Sequence, residues 1–282
     1  MRAVAWITGR LPWAWMRLFG ALLGFLAGSI LRVRRRHVEG CLQAAGLPEA
    51  IAPHVYRSLG AGVFEILWLA GRPPEALDHH FTMSPEGGAA LRRALSLGRG
   101  VVVATTHTGN WDLGACGAAR WLARGAPPAG LLVVTKRLSW MALDRYWQHL
   151  RAERGVTLAD AHGAITAVRE ALRRGSVVAL LVDQAPERGS GVLTLPFLGR
   201  PARHDLAPAI LAARARVPLL VMANLRTPDG HHRLELLETI DPADLRGGRG
   251  AVERATARIV AAVEGFVRVH PEQWLWLHRR WK

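Results

Sequence analysis

Residues 101–112 read VVVATTHTGNWD. Three valines and an alanine, preceded by the turn-forming Gly98 and Gly100, predict a short buried strand. Asn110, Trp111 and Asp112 then open a helix-length stretch, 111–123. His107 falls between the two, at the carboxyl end of the strand, where ligands gather in parallel α/β sheets. The same alternation recurs downstream. Apolar runs at 131–135, 177–182 and 219–223 are separated by helix-length stretches at 140–154, 164–174 and 205–215. The pattern predicts an α/β fold, a largely parallel sheet flanked by helices. Residues 234–237 predict one more strand and 251–269 a long helix.

Upstream of the strand, residues 40–96 read mainly helical, punctuated by Pro48, Pro53, Pro73 and Pro74. No repeat or low-complexity linker interrupts the chain, so residues 37–282 are expected to form one domain with a helical N-terminal part. Residues 11–31, LPWAWMRLFGALLGFLAGSIL, carry one charge, Arg17. Trp6, Trp13 and Trp15 lie at the entry, and Arg32, Arg34, Arg35 and Arg36 follow the exit. A charged cluster after the apolar run, with no small-residue cleavage site, disfavours a signal peptide. Residues 1–36 are therefore expected to be a membrane-anchor helix with a basic flank, either spanning the bilayer or lying in its interface. The arginines would keep the remainder on the cytoplasmic side.

Composition narrows the class further. Of 282 residues, 50% are hydrophobic and 21% charged, which excludes wholesale disorder. Two cysteines, Cys41 and Cys116, cannot build a disulfide framework and point to a reduced, cytoplasmic body. Lys and Arg outnumber Asp and Glu by 37 to 22, a net charge of +15 that suits an anionic membrane, a phosphorylated substrate or nucleic acid. Only Lys136 and Lys282 are lysines, an arginine bias that genome base composition also produces. Nucleic acid is disfavoured as a partner, because the basic residues are dispersed and no helix-turn-helix, zinc-finger or aromatic RNA-binding signature is present.

His107 and Asp112 are the first candidates for chemistry. Residues five apart in one helix point about 140° apart, so the two can meet only if His107 lies in the turn before the helix. Gly109 gives that turn its freedom. An imidazole held at one nitrogen by a carboxylate is fixed in one tautomer and becomes a stronger base toward a hydroxyl. Spacing alone carries little weight here, since a His and an Asp five apart are common. No G-x-S-x-G elbow supplies a nucleophile, and Cys116 sits in an apolar helix as a small core residue. His149, His162, His204, His231 and His232 lack metal-ligand spacing, so no metal is expected.

The stretch THTGNWDLG, with the closing PEQWLWLHRRWK, resembles the late acyltransferases of lipid A biosynthesis, within the lysophospholipid acyltransferase superfamily. The matching positions are His107, Gly109, Asn110, Trp111 and Asp112, then Pro271, Glu272, Gln273, Trp276, His278, Arg279 and Arg280. Residues 137–155 resemble a family block whose basic position is Arg151. Asp183 and Gln184, followed by GVLTLPFLG at 191–199, resemble another. The family's Tyr-Arg-Pro is Thr135, Lys136 and Arg137 here, and Arg203, His204 and Asp205 replace small hydroxyl residues. Both departures fall where acceptor or acyl carrier would be contacted.

The resemblance implies a glycerolipid-acyltransferase-like fold, with His107 as general base and Asp112 as its orienting partner. Asn110 would cap the helix or donate to an oxyanion, and Lys136 and Arg151 would hold phosphates. Asp183 would take a site role or join a buried ion pair. It also implies a fatty acyl donor on acyl carrier protein or CoA, no cofactor, a lipid acceptor, and an anionic inner membrane approached from its cytoplasmic face. The acceptor would be a lipid A precursor or another lipid, such as a lysophospholipid, an aminolipid or a mannoside glycolipid. Trp274, Trp276 and Trp281 would pack as a last core strand or face the bilayer.

Overall fold

The computed structural model describes residues 2–125, 128–136, 141–187 and 189–281. Arg137 and the rest of 137–140 lie outside them. The N-terminal region is helical: α1 (Arg2–Thr8), α2 (Trp13–Phe25), α3 (Arg35–Ala44) and α4 (Ala52–Ala70). A π-helical turn, Leu26–Ile30, extends α2. Trp13–Ile30 is long and apolar enough to cross a membrane, and 22% of it is buried. Apart from Met16, the buried side is made of glycine. Gly20, Gly24 and Gly28 recur every fourth residue and so share one face of the helix. A Cβ on Gly20 would meet the Ala61 backbone at 2.3 Å, and one on Gly60 would lie 2.2 Å from the Gly20 carbonyl oxygen. Small residues on both helices thus let α2 and α4 touch backbone to backbone. Trp15, Leu18, Leu22, Phe25 and Leu26 on the other side of α2 are exposed.

The sheet follows. Its elements are β1 (Phe81–Met83), α5 (Pro85–Ser96), β2 (Val101–Thr105), α6 (Trp111–Ala123), β3 (Leu131–Thr135) and α7 (Met141–Glu153). Next come β4 (Val156–Asp160), α8 (Ile165–Arg173), β5 (Val177–Leu181), a hairpin of β6 (Val192–Phe197) and β7 (Arg200–Asp205), and α9 (Ala207–Ala215). β8 (Leu219–Arg226), β9 (His232–Ile240) and α10 (Arg249–Val269) complete it. Among the described residues, seven strands pair in the order β1-β9-β8-β2-β5-β3-β4. β2, β3, β4, β5 and β8 run parallel; β9 is antiparallel to β8, and β1 pairs parallel with β9.

The parallel α/β expectation holds, and the reason lies in two buried faces. Val101 and Val103 join a core with Leu91 and Leu95 of α5 and Leu113 and Cys116 of α6. Val102 and Ala104 join the opposite core with Val168 of α8, Ala209 of α9 and Ile259 of α10. Residues 234–237 fall within β9, an antiparallel strand. The strands β1 and β4 and the β6–β7 hairpin were not anticipated.

Candidate active site

β2 and β5 are adjacent and in register, Thr105 opposite Leu181. His107 lies two residues past the first strand and Asp183 two residues past the second, so the sheet sets them side by side. The Asp183 carboxylate accepts three bonds. Oδ1 takes His107 Nδ1 at 2.8 Å; Oδ2 takes the His107 backbone N–H and the Trp274 indole N–H, each at 2.8 Å. A carboxylate only accepts, so Nδ1 is the donor, and of the two neutral tautomers this bond selects the one whose Nε2 lone pair is free to act as a base. Gln184 Nε2 stands 3.3 Å from that Nε2. Burial pushes the Asp183 carboxyl up, but the facing His107 ring and N–H and the Trp274 indole outweigh it and hold it below its ordinary value.

The carboxylate beside His107 is therefore Asp183, which corrects the expectation for Asp112. Asp112, in the first turn of α6, is claimed by α7: Oδ2 accepts from Trp147 Nε1 at 2.9 Å, and Oδ1 from Arg151 Nε at 2.7 Å. Trp147 and Arg151 are four apart and so share one helix face. Arg151 lines the site and is paired with Asp112. Lys136, half exposed, pairs with the exposed Glu187 at 3.2 Å on the rim. Asn110 is the helix cap: its Oδ1 accepts from Leu113 N at 3.1 Å, and its amide donates to Gly62 O and to Glu65 Oε2. Both ends of its side chain are thus bonded to protein, as the cap expectation requires.

Glu65, fully buried on α4, is a centre that sequence reading missed. It accepts from Arg226 Nε at 2.7 Å and Nη2 at 2.8 Å, from Asn110, and meets His232 Nε2 at 3.2 Å. Burial pushes its carboxyl up; Arg226 and His232 outweigh this and hold it well below the carboxylate range. Asn224 adds a bond to the Asn110 carbonyl at 2.9 Å. At Gly109 (φ +58) a Cβ would meet the Asn224 carbonyl oxygen at 2.7 Å, so the turn behind His107 admits only glycine without displacement.

The closing segment is stitched to the same turn. Gly109 N donates to Gln273 O at 3.0 Å and Leu275 N to His107 O at 3.2 Å. Trp274 and Trp276 are buried at 2% and 1% exposure, in the core rather than facing outward. Arg280, 1% exposed, lies against His204, with Nη2 to Nδ1 at 2.9 Å. Of the three departures at 203–205, His204 thus points into the core, whereas Asp205 lines the site.

Beside His107 a cavity of about 640 Å³ runs between the sheet and α6. His107, Trp111, Asp112, Lys136, Arg151 and Gln184 line its polar end; Val103, Ala118, Leu131, Val133, Val177 and Ala179 are among its aliphatic walls. Cys116, 1% exposed, has its thiol pushed up to about 12 by burial, with Asp112 adding to it, which rules it out as a ready nucleophile.

The buried histidines predict an acid response. Burial and the adjacent Arg280 hold His204 at about 3, and burial and neighbouring His231 hold His80 at about 4, against an ordinary 6.5. Below pH 6.5 the unfolded chain binds protons that the folded chain refuses, so stability falls as pH drops toward 4. Denaturant midpoints measured between pH 8 and 4 are expected to decline from about 6.5 downward, with a shallower decline in His204→Gln. A flat profile down to the carboxylate range would contradict this.

The model of the bacterial lipid A biosynthesis acyltransferase family matches residues 1–282. The chain is 25% identical over 289 residues to lipid A biosynthesis lauroyltransferase of Escherichia coli strain K12, covering 99% of this chain and 89% of that protein. It is 31% identical over 134 residues to phosphatidylinositol mannoside acyltransferase of Mycobacterium tuberculosis strain H37Rv, covering 46% of this chain and 40% of that one. Matched over its whole length, the chain belongs to the bacterial lipid A biosynthesis acyltransferases, and its chemistry is acyl transfer.

Proposed function

We propose that the protein transfers a fatty acyl chain from an acyl carrier protein or CoA thioester to a hydroxyl of a lipid A precursor or similar lipid. His107 is the general base, at the cytoplasmic face of the inner membrane. The observation that carries this reading is a histidine with Nδ1 held by a buried carboxylate, at the polar end of a long aliphatic cavity. The cavity suits an acyl chain, and Lys136 on its rim suits the donor's phosphate. The acceptor hydroxyl displaces Gln184 from Nε2, gives its proton to that nitrogen, and its oxygen attacks the thioester carbonyl. The tetrahedral intermediate collapses with cleavage of the C–S bond, and His107 returns the proton to the leaving thiolate. Asp183 stabilises the imidazolium in between and fixes its tautomer. Asp112, bound to Arg151 and Trp147, positions α7 against α6 at the cavity's polar end. The exposed apolar face of α2, followed by arginines, supports binding to an anionic bilayer.

Mass spectrometry of total lipids from cells with and without the gene tests the reading. One lipid class is expected to lose a single acyl chain on deletion and regain it with the wild-type gene. Unchanged lipids would overturn it. Loss confined to a mannoside glycolipid would favour the second reading, which the 31% match over 46% of the chain supports.

A further inference from the structure

The wall of α6 that faces the cavity has a graded shape. Trp111, Ala115, Ala118 and Leu122 lie at spacings of four, three and four, one stripe of a helix, with Gly114 beside it. Through the second and third turns, at Gly114, Ala115 and Ala118, the stripe is glycine and alanine, which leaves a trough. It then ends on a leucine, about 16 Å along the helix from Trp111. Leu122 is 2% exposed, and its carbonyl accepts from both Gly125 N and Ala129 N at 3.1 Å, so its backbone is pinned at the helix end.

A second cavity, of about 480 Å³, lies on the far side. Its walls include Leu77, Phe81, Leu95, Gly117 and Trp121, with Arg92 on the rim. Leu122 is the one residue common to the described linings of both cavities. Gly117 and Trp121 on α6 and Leu95 on α5 line the second cavity; Ala118 and Leu91 line the first.

We infer that Leu122 is the stop that sets how long an acyl chain the enzyme accepts, and that truncating it opens the first cavity into the second. This rests on reading the first cavity as the acyl site. A chain entering at His107 slides along the alanine trough with its thioester at the base. Once its terminal methyl meets Leu122, each further methylene must push the reacting carbonyl away from His107 or displace a packed core residue. Chains short of the stop leave apolar wall uncovered and lose binding in proportion. The preferred donor is the one that just reaches Leu122.

The test uses full-length enzyme and saturated acyl-CoA and acyl carrier protein thioesters of graded length, with kcat/KM read for each. Leu122→Ala is expected to move the optimum to longer chains, with about fourfold gained for each added methylene that finds room. Leu122→Val, which removes one methylene, is expected to move it the same way by a smaller step and covers the case in which the alanine variant does not fold. Ala118→Leu fills the trough one turn nearer His107 and is expected to move the optimum to shorter chains. If Ala118→Leu shortens the optimum while folded Leu122 variants keep the wild-type profile, the stop lies elsewhere and the acyl-site reading stands. If no variant moves the profile, both fall.

Discussion

Replacing His107 by alanine is expected to lower turnover at saturating donor by about 10²–10⁴-fold while leaving the circular dichroism spectrum unchanged. Asp183→Asn is expected to lose a comparable factor. An amide can accept from Nδ1 but offers no charge to an imidazolium, and it can turn its NH₂ toward the ring and select the wrong tautomer. The double variant is expected to be little worse than His107→Ala, because without the ring there is nothing left for Asp183 to orient. Asp112 separates the geometry from the linear spacing. Asp112→Asn keeps an acceptor for Trp147 and loses only the charge that faces Arg151, so its effect is expected to be smaller and to appear chiefly in KM. Near-wild-type turnover of a folded His107→Ala enzyme would sink the mechanism. An inactive Asp112→Asn enzyme beside an active Asp183→Asn one would return the orienting role to Asp112. Cys116→Ala is expected to be silent, since direct attack by the acceptor needs no thiol.

The second large effect is on stability. Glu65→Leu takes from the Arg226 guanidinium, the His232 ring and the Asn110 amide the one carboxylate they share, and leaves the guanidinium charge uncompensated in a buried site. Removing one partner of a buried ion pair costs about 3–5 kcal/mol, so the urea midpoint in detergent should drop steeply or the protein fail to accumulate. Combining it with Arg226→Met should recover part of the loss, because an uncompensated charge is worse than an apolar pair. Additive losses in the double variant would show that the pair is not coupled.

Much of the sheet could be read from the chain because parallel strands covered on both faces are apolar throughout. VVVAT, LLVVT and VVALL have no polar alternation to obscure them. The strands that escaped notice lie at edges or outside the sheet. β4 reads VTLAD, with exposed positions on the last strand of the order; β1 has three residues; and the β6–β7 hairpin pairs Pro196 with Pro201, which no ladder-forming pattern suggests. At the site, both His107 and Asp183 stood out as polar residues ending apolar runs. Their pairing did not, because β3 and β4 come between β2 and β5 in the chain while the sheet makes β2 and β5 neighbours. Proximity in sequence pointed to Asp112 instead. The donors that occupy Asp112 were visible as a Trp and an Arg four apart in 141–153, but nothing local says which carboxylate that face meets. Glu65 was hidden for the same reason: its partners come from residues 110, 226 and 232.

The glycine seam between α2 and α4 means that two separate messages are written on one helix. Gly20, Gly24 and Gly28 specify the fit to α4: a larger residue collides with backbone at the first two and with the Tyr56 ring at the third. Trp15, Leu18, Leu22, Phe25 and Leu26 specify only the solvent that the helix prefers. Protein engineers can therefore rewrite the second message alone. Glutamate and glutamine at those five outward positions are expected to leave the seam and the turn behind α4 intact while weakening attachment of the protein to bilayers, which vesicle co-sedimentation measures. The natural chain has the converse freedom: its outer face can drift among apolar residues without touching the fold, while the seam holds three positions to glycine.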